Sequence, residues 1–66
     1  MNLKQLEAFV KVADGRSFSN AAKELFLTQP TISAHIASLE KELNTRLFVR
    51  NTKEVSLSDD GKQLYK

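Results

Sequence analysis

Apolar side chains recur along the first half of the chain at the spacing of one helix face. The first segment predicts a helix over about residues 3–14, after which Gly15 is expected to take a left-handed conformation. The second predicts a short helix over about 19–26, with Ser19 as its N-cap because a serine hydroxyl accepts from a free first-turn amide. The buried stripe expected on this second helix consists of Ala21, Ala22, Leu25 and Phe26.

A third helix carries the most regular apolar repeat of the chain, formed by Ile32, Ile36, Leu39 and Leu43. Thr28 is the expected N-cap, and Gln29 is the alternative because a residue before proline resists helical angles. Pro30 suits the first turn, where amides have no intrahelical acceptor. Asn44 is expected to end the helix, since asparagine tolerates the left-handed region. With only about two residues between them, the second and third helices form a helix-turn-helix.

The period of the pattern changes after residue 44. β-formers cluster at residues 47–49, and apolar and polar residues alternate over 54–57. The polar run over 50–53 separates these two segments, so we predict a two-stranded hairpin that packs on the helices. The predicted fold is mainly α: a winged helix-turn-helix of three helices, a two-stranded β-hairpin wing and the start of a fourth, linker helix.

The start of this fourth helix is predicted at Ser58, a capping serine followed by two acids. Asp59 and Asp60 suggest a paired-carboxylate site, but acids in the first turn of a helix are the favoured interpretation. Because this helix would be cut short, we expect the chain to be the front end of a longer protein. We therefore divide it into a winged helix-turn-helix domain over 1–58 and the beginning of a linker and dimerisation helix over 59–66.

Composition narrows the class of protein only modestly. The chain has 66 residues, 41% of them hydrophobic, with a formal charge of +2 and no cysteine. Disulfides and thiolate metal sites are therefore excluded. No apolar run reaches the roughly 20 residues of a membrane span, and the N-terminus does not resemble a secretory signal. We expect a cytoplasmic protein whose mild basic bias is compatible with nucleic acid.

Opposite its apolar stripe, the third helix presents small residues and hydroxyls, with a carboxamide at its N-terminal end. Gln29 can pair with adenine through two hydrogen bonds, and the methyl of Thr31 or Ala34 can contact a thymine methyl. The composition of this face is equally consistent with a solvated surface that carries arbitrary polar residues and has no role in base recognition. The face carries Pro30, Ala34, Ala37 and Lys41, flanked by Thr31 and Ser38, with Ser33 and Gln29 on one shoulder and His35 on the other.

The hairpin favours the nucleic-acid interpretation. Arg50 and Lys53 flank its tip, Arg46 lies nearby, and Glu54 alone opposes them. Such a tip can reach the phosphate backbone or an adjacent minor groove. The same charges can protect a strand edge from aggregation, and the two roles are compatible.

A catalytic or metal site has no support in the residues. His35 is the only histidine, and no acid lies at ligand spacing around it. We assign His35 to the rim of the recognition surface. No nucleophile–base pair or glycine-rich phosphate loop is present, so we expect neither enzymatic activity nor a cofactor in these residues.

The run FSNAAKELFLTQPTISAHIASLEKELNTRLFVRNTKEVSLSDDG closely resembles the N-terminal domain of LysR-type bacterial transcriptional regulators. Two positions depart from the family pattern. Asn44 stands where the family usually has glycine, and Asp60 where it usually has alanine. The matching positions are Ala21, Ala22, Leu25, Gln29, Pro30, Ser33, Ile36, Leu39, Glu40, Leu43, Leu47, Phe48, Arg50, Val55, Leu57 and Gly61.

The resemblance implies sequence-specific binding of double-stranded DNA by a transcriptional regulator. The third helix would enter the major groove and the wing would touch the minor groove or backbone. The fourth helix would pair subunits into a homodimer or higher homo-oligomer, and a further C-terminal domain would bind a small-molecule inducer. A protein-interaction module without a DNA-reading role is the alternative. By position, the residues that would contact bases or the nearby backbone are Gln29, Pro30, Thr31, Ser33 and Ala34. Ser38 would contact phosphate, and Lys53 would make the wing contact.

Overall fold

Three helices surround one core, and a two-stranded antiparallel sheet and a short fourth helix pack beside them. The structure, a computed structural model, describes residues 2–50 and 55–65. Within this part of the chain the predicted winged helix-turn-helix is confirmed. The elements are α1 (Leu3–Gly15), α2 (Phe18–Glu24), α3 (Gln29–Leu43), β1 (Phe48–Arg50), β2 (Val55–Leu57) and α4 (Asp59–Tyr65).

The core lies where α1, α2 and α3 meet in pairs. Ala21 and Ala22 are buried at the α2 contact, where their small side chains allow close approach of the neighbouring helices. The predicted stripe of α3 is confirmed, with its last member, Leu43, only half-buried. The buried core comprises Ala8, Phe9, Val12, Ala21, Ala22, Ile32, Ile36, Leu39, Leu47 and Phe48.

Phe48 anchors the wing to the helices. Its ring centroid lies 5.5 Å from that of Phe9 in α1 and 5.8 Å from that of Phe18 in α2. These separations and the tilted or edge-on planes are the arrangements that aromatic pairs prefer. A two-stranded sheet is marginal by itself, so this aromatic contact supplies the support that the hairpin needs.

The ends of α3 form as predicted. Thr28, not the alternative Gln29, is the N-cap, and its hydroxyl accepts from the Thr31 amide at 3.4 Å. Pro30 lies in the first turn. Asn44 ends the helix in the left-handed conformation, with φ 54°. Asn44 therefore takes backbone angles that a glycine adopts readily.

The junction between α1 and α2 differs from the prediction by two residues. Ser17, not Ser19, is the N-cap of α2, and its hydroxyl accepts from the Asn20 amide at 3.1 Å. An earlier helix start brings Phe18 into α2, where its ring contacts Phe48. The left-handed residue is Arg16, with φ 51°, because α1 continues through Gly15.

The prediction that Phe26 belongs to the buried stripe of α2 is wrong. The helix ends at Glu24, so Phe26 falls in the turn, with φ 57° and 93% of its surface exposed. The Leu27 amide donates to the Ala22 carbonyl at 2.8 Å, which closes the end of the helix. Helical periodicity cannot place a residue that lies beyond the last helical turn.

The peptide groups of Leu47 join α3, the wing and α4. Its N–H donates to Glu40 Oε2 at 2.8 Å, and its carbonyl accepts from the Ser58 amide at 2.9 Å. Ser58 caps α4 as predicted, since its hydroxyl accepts from the Gly61 amide at 3.0 Å. β1 and β2 pair in the register Phe48 with Leu57 and Arg50 with Val55.

Two further side-chain hydrogen bonds hold α4 in place. The Thr45 hydroxyl donates to Asp60, which stands where the family usually has alanine. Asp59 and Asp60 lie in the first turn of α4, as the favoured interpretation required. The Tyr65 hydroxyl donates to Asp14 of α1, and this hydrogen bond raises the pKa of Tyr65, with smaller contributions from desolvation and the Asp14 charge.

Leu39→Ala is expected to lower the free energy of unfolding by about 2–5 kcal/mol, because it leaves a cavity in a fully buried site. Leu3→Ala is the matched control, since Leu3 is 81% exposed and its truncation should cost less than about 0.5 kcal/mol. Thermal or urea unfolding followed by circular dichroism measures both. Equal melting temperatures for Leu39→Ala and the parent chain would show that the core is placed wrongly.

Gly61→Ala is expected to destabilise the domain by about 3 kcal/mol through overpacking. A Cβ at this position would lie 2.1 Å from the Leu47 carbonyl oxygen, so α4 would have to move away from the backbone. Gly15→Ala is the control, because its nearest neighbour would be the Asn20 Cβ at 4.0 Å. Gly15→Ala should raise stability by about 0.5–1 kcal/mol. A Gly61→Ala variant that unfolds like the parent would contradict the close α4 contact.

Candidate nucleic-acid interface

The outward side of α3 is a continuous surface of small and polar side chains. Its 15 residues make a helix about 22 Å long. Ile32, Ile36 and Leu39 are buried and Leu43 packs partly buried against the core, so the positions on the opposite side of the helix are not used for core packing. On this outward side, Gln29, Pro30, Ala34, Ala37, Ser38 and Lys41 are exposed, and Thr31, Ser33 and His35 are half-buried.

At the N-terminal end of α3, capping uses part of the hydrogen-bonding capacity. The Thr28 and Thr31 hydroxyl oxygens lie 2.8 Å apart, so one of these hydroxyls donates to the other. Pro30 has no amide proton, and the Thr31 amide is capped. This leaves the Gln29 amide as the free donor among the first three residues of α3. Side chains, more than backbone amides, therefore define this end of the surface.

Gln29 is held by a residue that the sequence analysis missed as a site residue. The Ser19 hydroxyl donates to Gln29 Oε1 at 3.1 Å, across the turn between α2 and α3. The predicted Ser19 cap did not indicate a contact with Gln29, because a capping hydroxyl binds an amide of its own helix. With Ser17 as the cap, Ser19 is free to contact α3.

The wing is only partly described. The backbone of Arg50 ends β1 opposite Val55, so the strand includes the first residue of the predicted polar turn over 50–53. Lys53 and the other residues over 51–54 lie outside the described residues, so the contacts assigned to the wing tip stay predictions. Arg46, on the segment that leads into β1, is exposed.

Residues 2–50 and 55–65 contain neither a metal-binding cluster nor a membrane-spanning helix. Among these residues, no three His, Cys, Asp or Glu side chains come close enough together to bind a metal ion. His35 is half-buried on α3, at the edge of the outward surface. In the same part of the chain, no helix has both the length and the apolar character needed to span a bilayer.

The arrangement of α2, the turn, α3 and the two-stranded sheet defines a winged helix-turn-helix domain. Residues 3–62 match the family described as bacterial regulatory helix-turn-helix proteins, lysR family. The chain therefore belongs to the LysR family. Sequence relatives and solved structures agree with this assignment.

Two curated relatives cover nearly the whole chain. The uncharacterized HTH-type transcriptional regulator YxjO of Bacillus subtilis (strain 168) is 45% identical over 94% of this chain and 21% of its own length. The nitrogen assimilation regulatory protein nac of Escherichia coli (strain K12) is 43% identical over 98% of this chain and 21% of its own length. This chain thus spans about a fifth of each relative.

Among solved structures, this chain is similar to the BenM DBD in its complex with benA site 1 DNA. The TM-score is 0.94 and the sequences are 37% identical. The match covers 98% of this chain and 73% of the BenM chain. At this level of identity the likeness extends from the fold to the family.

Proposed function

We propose that this chain is the DNA-binding domain of a transcriptional regulator and binds double-stranded DNA in a sequence-specific way. The observation that carries the proposal is the division of α3 into a buried apolar stripe and an outward surface of small and polar side chains. A major groove about 12 Å wide admits a helix, and small side chains let its backbone approach the base edges. The similar BenM domain forms a complex with benA site 1 DNA, which supports DNA binding by this chain.

We assign base readout to the N-terminal half of α3. Gln29 offers a donor and an acceptor on one planar group, which suits two hydrogen bonds to adenine. Pro30 can make only apolar contacts, because it has no amide proton. Ser38 is exposed further along the helix and would bind phosphate. The remaining helix residues in the proposed interface are Thr31, Ser33, Ala34 and His35.

We assign Arg50 and Lys53 to the phosphate backbone or the minor groove beside α3. A lysine presents a point charge with little power to distinguish bases, so its contribution is expected to be electrostatic. Phe48 packs the wing against Phe9 and Phe18, which fixes the base of the hairpin relative to the helices. The helix and the wing would therefore engage DNA as one body.

The alternative, a protein-interaction module, has less support. Protein-binding surfaces are rich in large aromatic and apolar anchors. The outward side of α3 has none, since its exposed members are small or polar. The relatives named above are transcriptional regulators, which also argues against an enzymatic role. A steep loss of affinity for DNA with rising salt separates DNA binding from protein binding.

In the whole protein we propose that residues 1–58 form the DNA-binding domain and residues 59–66 begin a longer helix that pairs two subunits. The chain spans about a fifth of the relatives described, which leaves room for a domain that binds a small-molecule inducer. Such a regulator would work in the bacterial cytoplasm and associate with the nucleoid when bound to DNA.

Gln29→Ala is expected to weaken binding to the preferred duplex by about 1–3 kcal/mol and to leave binding to scrambled duplex nearly unchanged, because it removes base contacts. Lys53→Ala should weaken both duplexes similarly and reduce the slope of log affinity against log salt by about one unit. Fluorescence anisotropy over a salt series measures both, on a site selected from random duplexes.

The two variants serve as controls for each other, since each removes one kind of contact. Equal losses on both duplexes for Gln29→Ala would mean that α3 does not read bases through this residue. An unchanged salt slope for Lys53→Ala would remove the wing contact from the proposal.

Pairing of subunits makes a separate prediction for the whole protein. Two half-sites must mirror the two-fold axis of a dimer, so the selected site should be an inverted repeat. Sedimentation should find a dimer at micromolar concentration. A monomeric whole protein that protects a single half-site in footprinting would refute this part of the proposal.

A further inference from the structure

The hydrogen bond between Ser19 and Gln29 links the two helices of the helix-turn-helix at their exposed surface. Both residues are exposed, and the donor is the Ser19 hydroxyl. Ser17 already caps α2, so the Ser19 hydroxyl is not needed by its own helix. The contact spans ten positions of sequence and involves the residue to which we assign base readout.

The contact with Ser19 can fix the orientation of the Gln29 carboxamide. A glutamine side chain rotates about three bonds, and its oxygen and nitrogen exchange places when the amide turns over. Reading adenine through two hydrogen bonds requires the oxygen and the nitrogen in one defined arrangement. A side chain held in that arrangement before binding avoids the ordering cost that a free side chain incurs on association.

The occupied hydrogen bond leaves enough capacity for recognition. A carboxamide oxygen has two lone pairs and its nitrogen carries two protons. Ser19 uses one lone pair of Gln29 Oε1. One lone pair and both amide protons remain, which matches the N6 donor and N7 acceptor of adenine.

We propose that Ser19 is a positioning residue that orients the Gln29 carboxamide for base readout. This inference rests on the proposed function, in which Gln29 contacts a base. Ser19 acts through Gln29 and sets selectivity between duplexes. A hydroxyl that bound phosphate directly would instead strengthen binding to every duplex alike.

The test compares Ser19→Ala, Ser19→Thr, Gln29→Ala and the double variant, on the selected duplex and on scrambled duplex. Ser19→Ala should weaken the selected duplex about 3–10-fold, the range of one net hydrogen bond, and leave scrambled duplex within about twofold. Ser19→Thr keeps the hydroxyl and should restore selectivity. In the Gln29→Ala background, Ser19→Ala should have no further effect, because its partner is gone.

Thermal melting of each variant verifies that it folds. Folding is expected because Ser19 and Gln29 are both exposed. An unchanged affinity of Ser19→Ala for the selected duplex would overturn the inference. Equal losses on both duplexes would assign Ser19 to a phosphate contact, and a loss that persists in the Gln29→Ala background would assign it to a direct DNA contact; either result would overturn the inference as well. Gln29→Ala with unchanged selectivity would refute the proposed role of Gln29 and this inference together. A loss of selectivity in Gln29→Ala but not in Ser19→Ala would refute the inference alone.

Discussion

The relative placement of α3, the wing and α4 depends on the backbone of Leu47. Its N–H donates to the Glu40 carboxylate of α3, and its carbonyl accepts from Ser58 at the start of α4. A charged acceptor strengthens the first of these bonds. The Leu47 carbonyl also lies so close to Gly61 of α4 that a side chain at position 61 would collide with it. The Leu47 side chain is buried, so hydrogen bonding and packing hold the same residue.

Packing on its inward side and beside the wing stabilises α3, so the residues on its outward surface are not needed for stability. Burial of Ile32, Ile36 and Leu39 stabilises the helix from one side, and Phe48 secures the hairpin from another. Helical stability in proteins comes mainly from such a packed face. The opposite face can then carry serine, alanine and glutamine, residues that contribute little to the core and suit a close approach to base edges.

The junctions that follow α1, α2 and α3 each place a non-glycine residue in the left-handed region, at Arg16, Phe26 and Asn44. Only Asn44 is of a type that tolerates this conformation well. At the other two junctions the packing of the flanking helices determines the backbone angles. Arg16 and Phe26 therefore adopt a left-handed conformation that is energetically unfavourable for their residue types. Phe26 accordingly points into solvent, although its apolar character and spacing from Ala22 predicted burial.

Local patterns in the sequence determined the three helices, the Thr28 and Ser58 caps, the left-handed Asn44, the two strands and the outward surface of α3. These features depend on periodicity and on hydrogen bonds between residues three or four positions apart, which a linear pattern contains. The outward position of Gln29 follows from the same periodicity. The Ser17 cap is also a bond between residues three positions apart, but Ser19 offers the same hydroxyl, and the packing of Phe18 on Phe48 selects where α2 begins. The Ser19–Gln29 contact depends on tertiary structure alone. Contacts between residues 10 or 30 positions apart depend on how the helices cross, and no spacing along the chain encodes that angle.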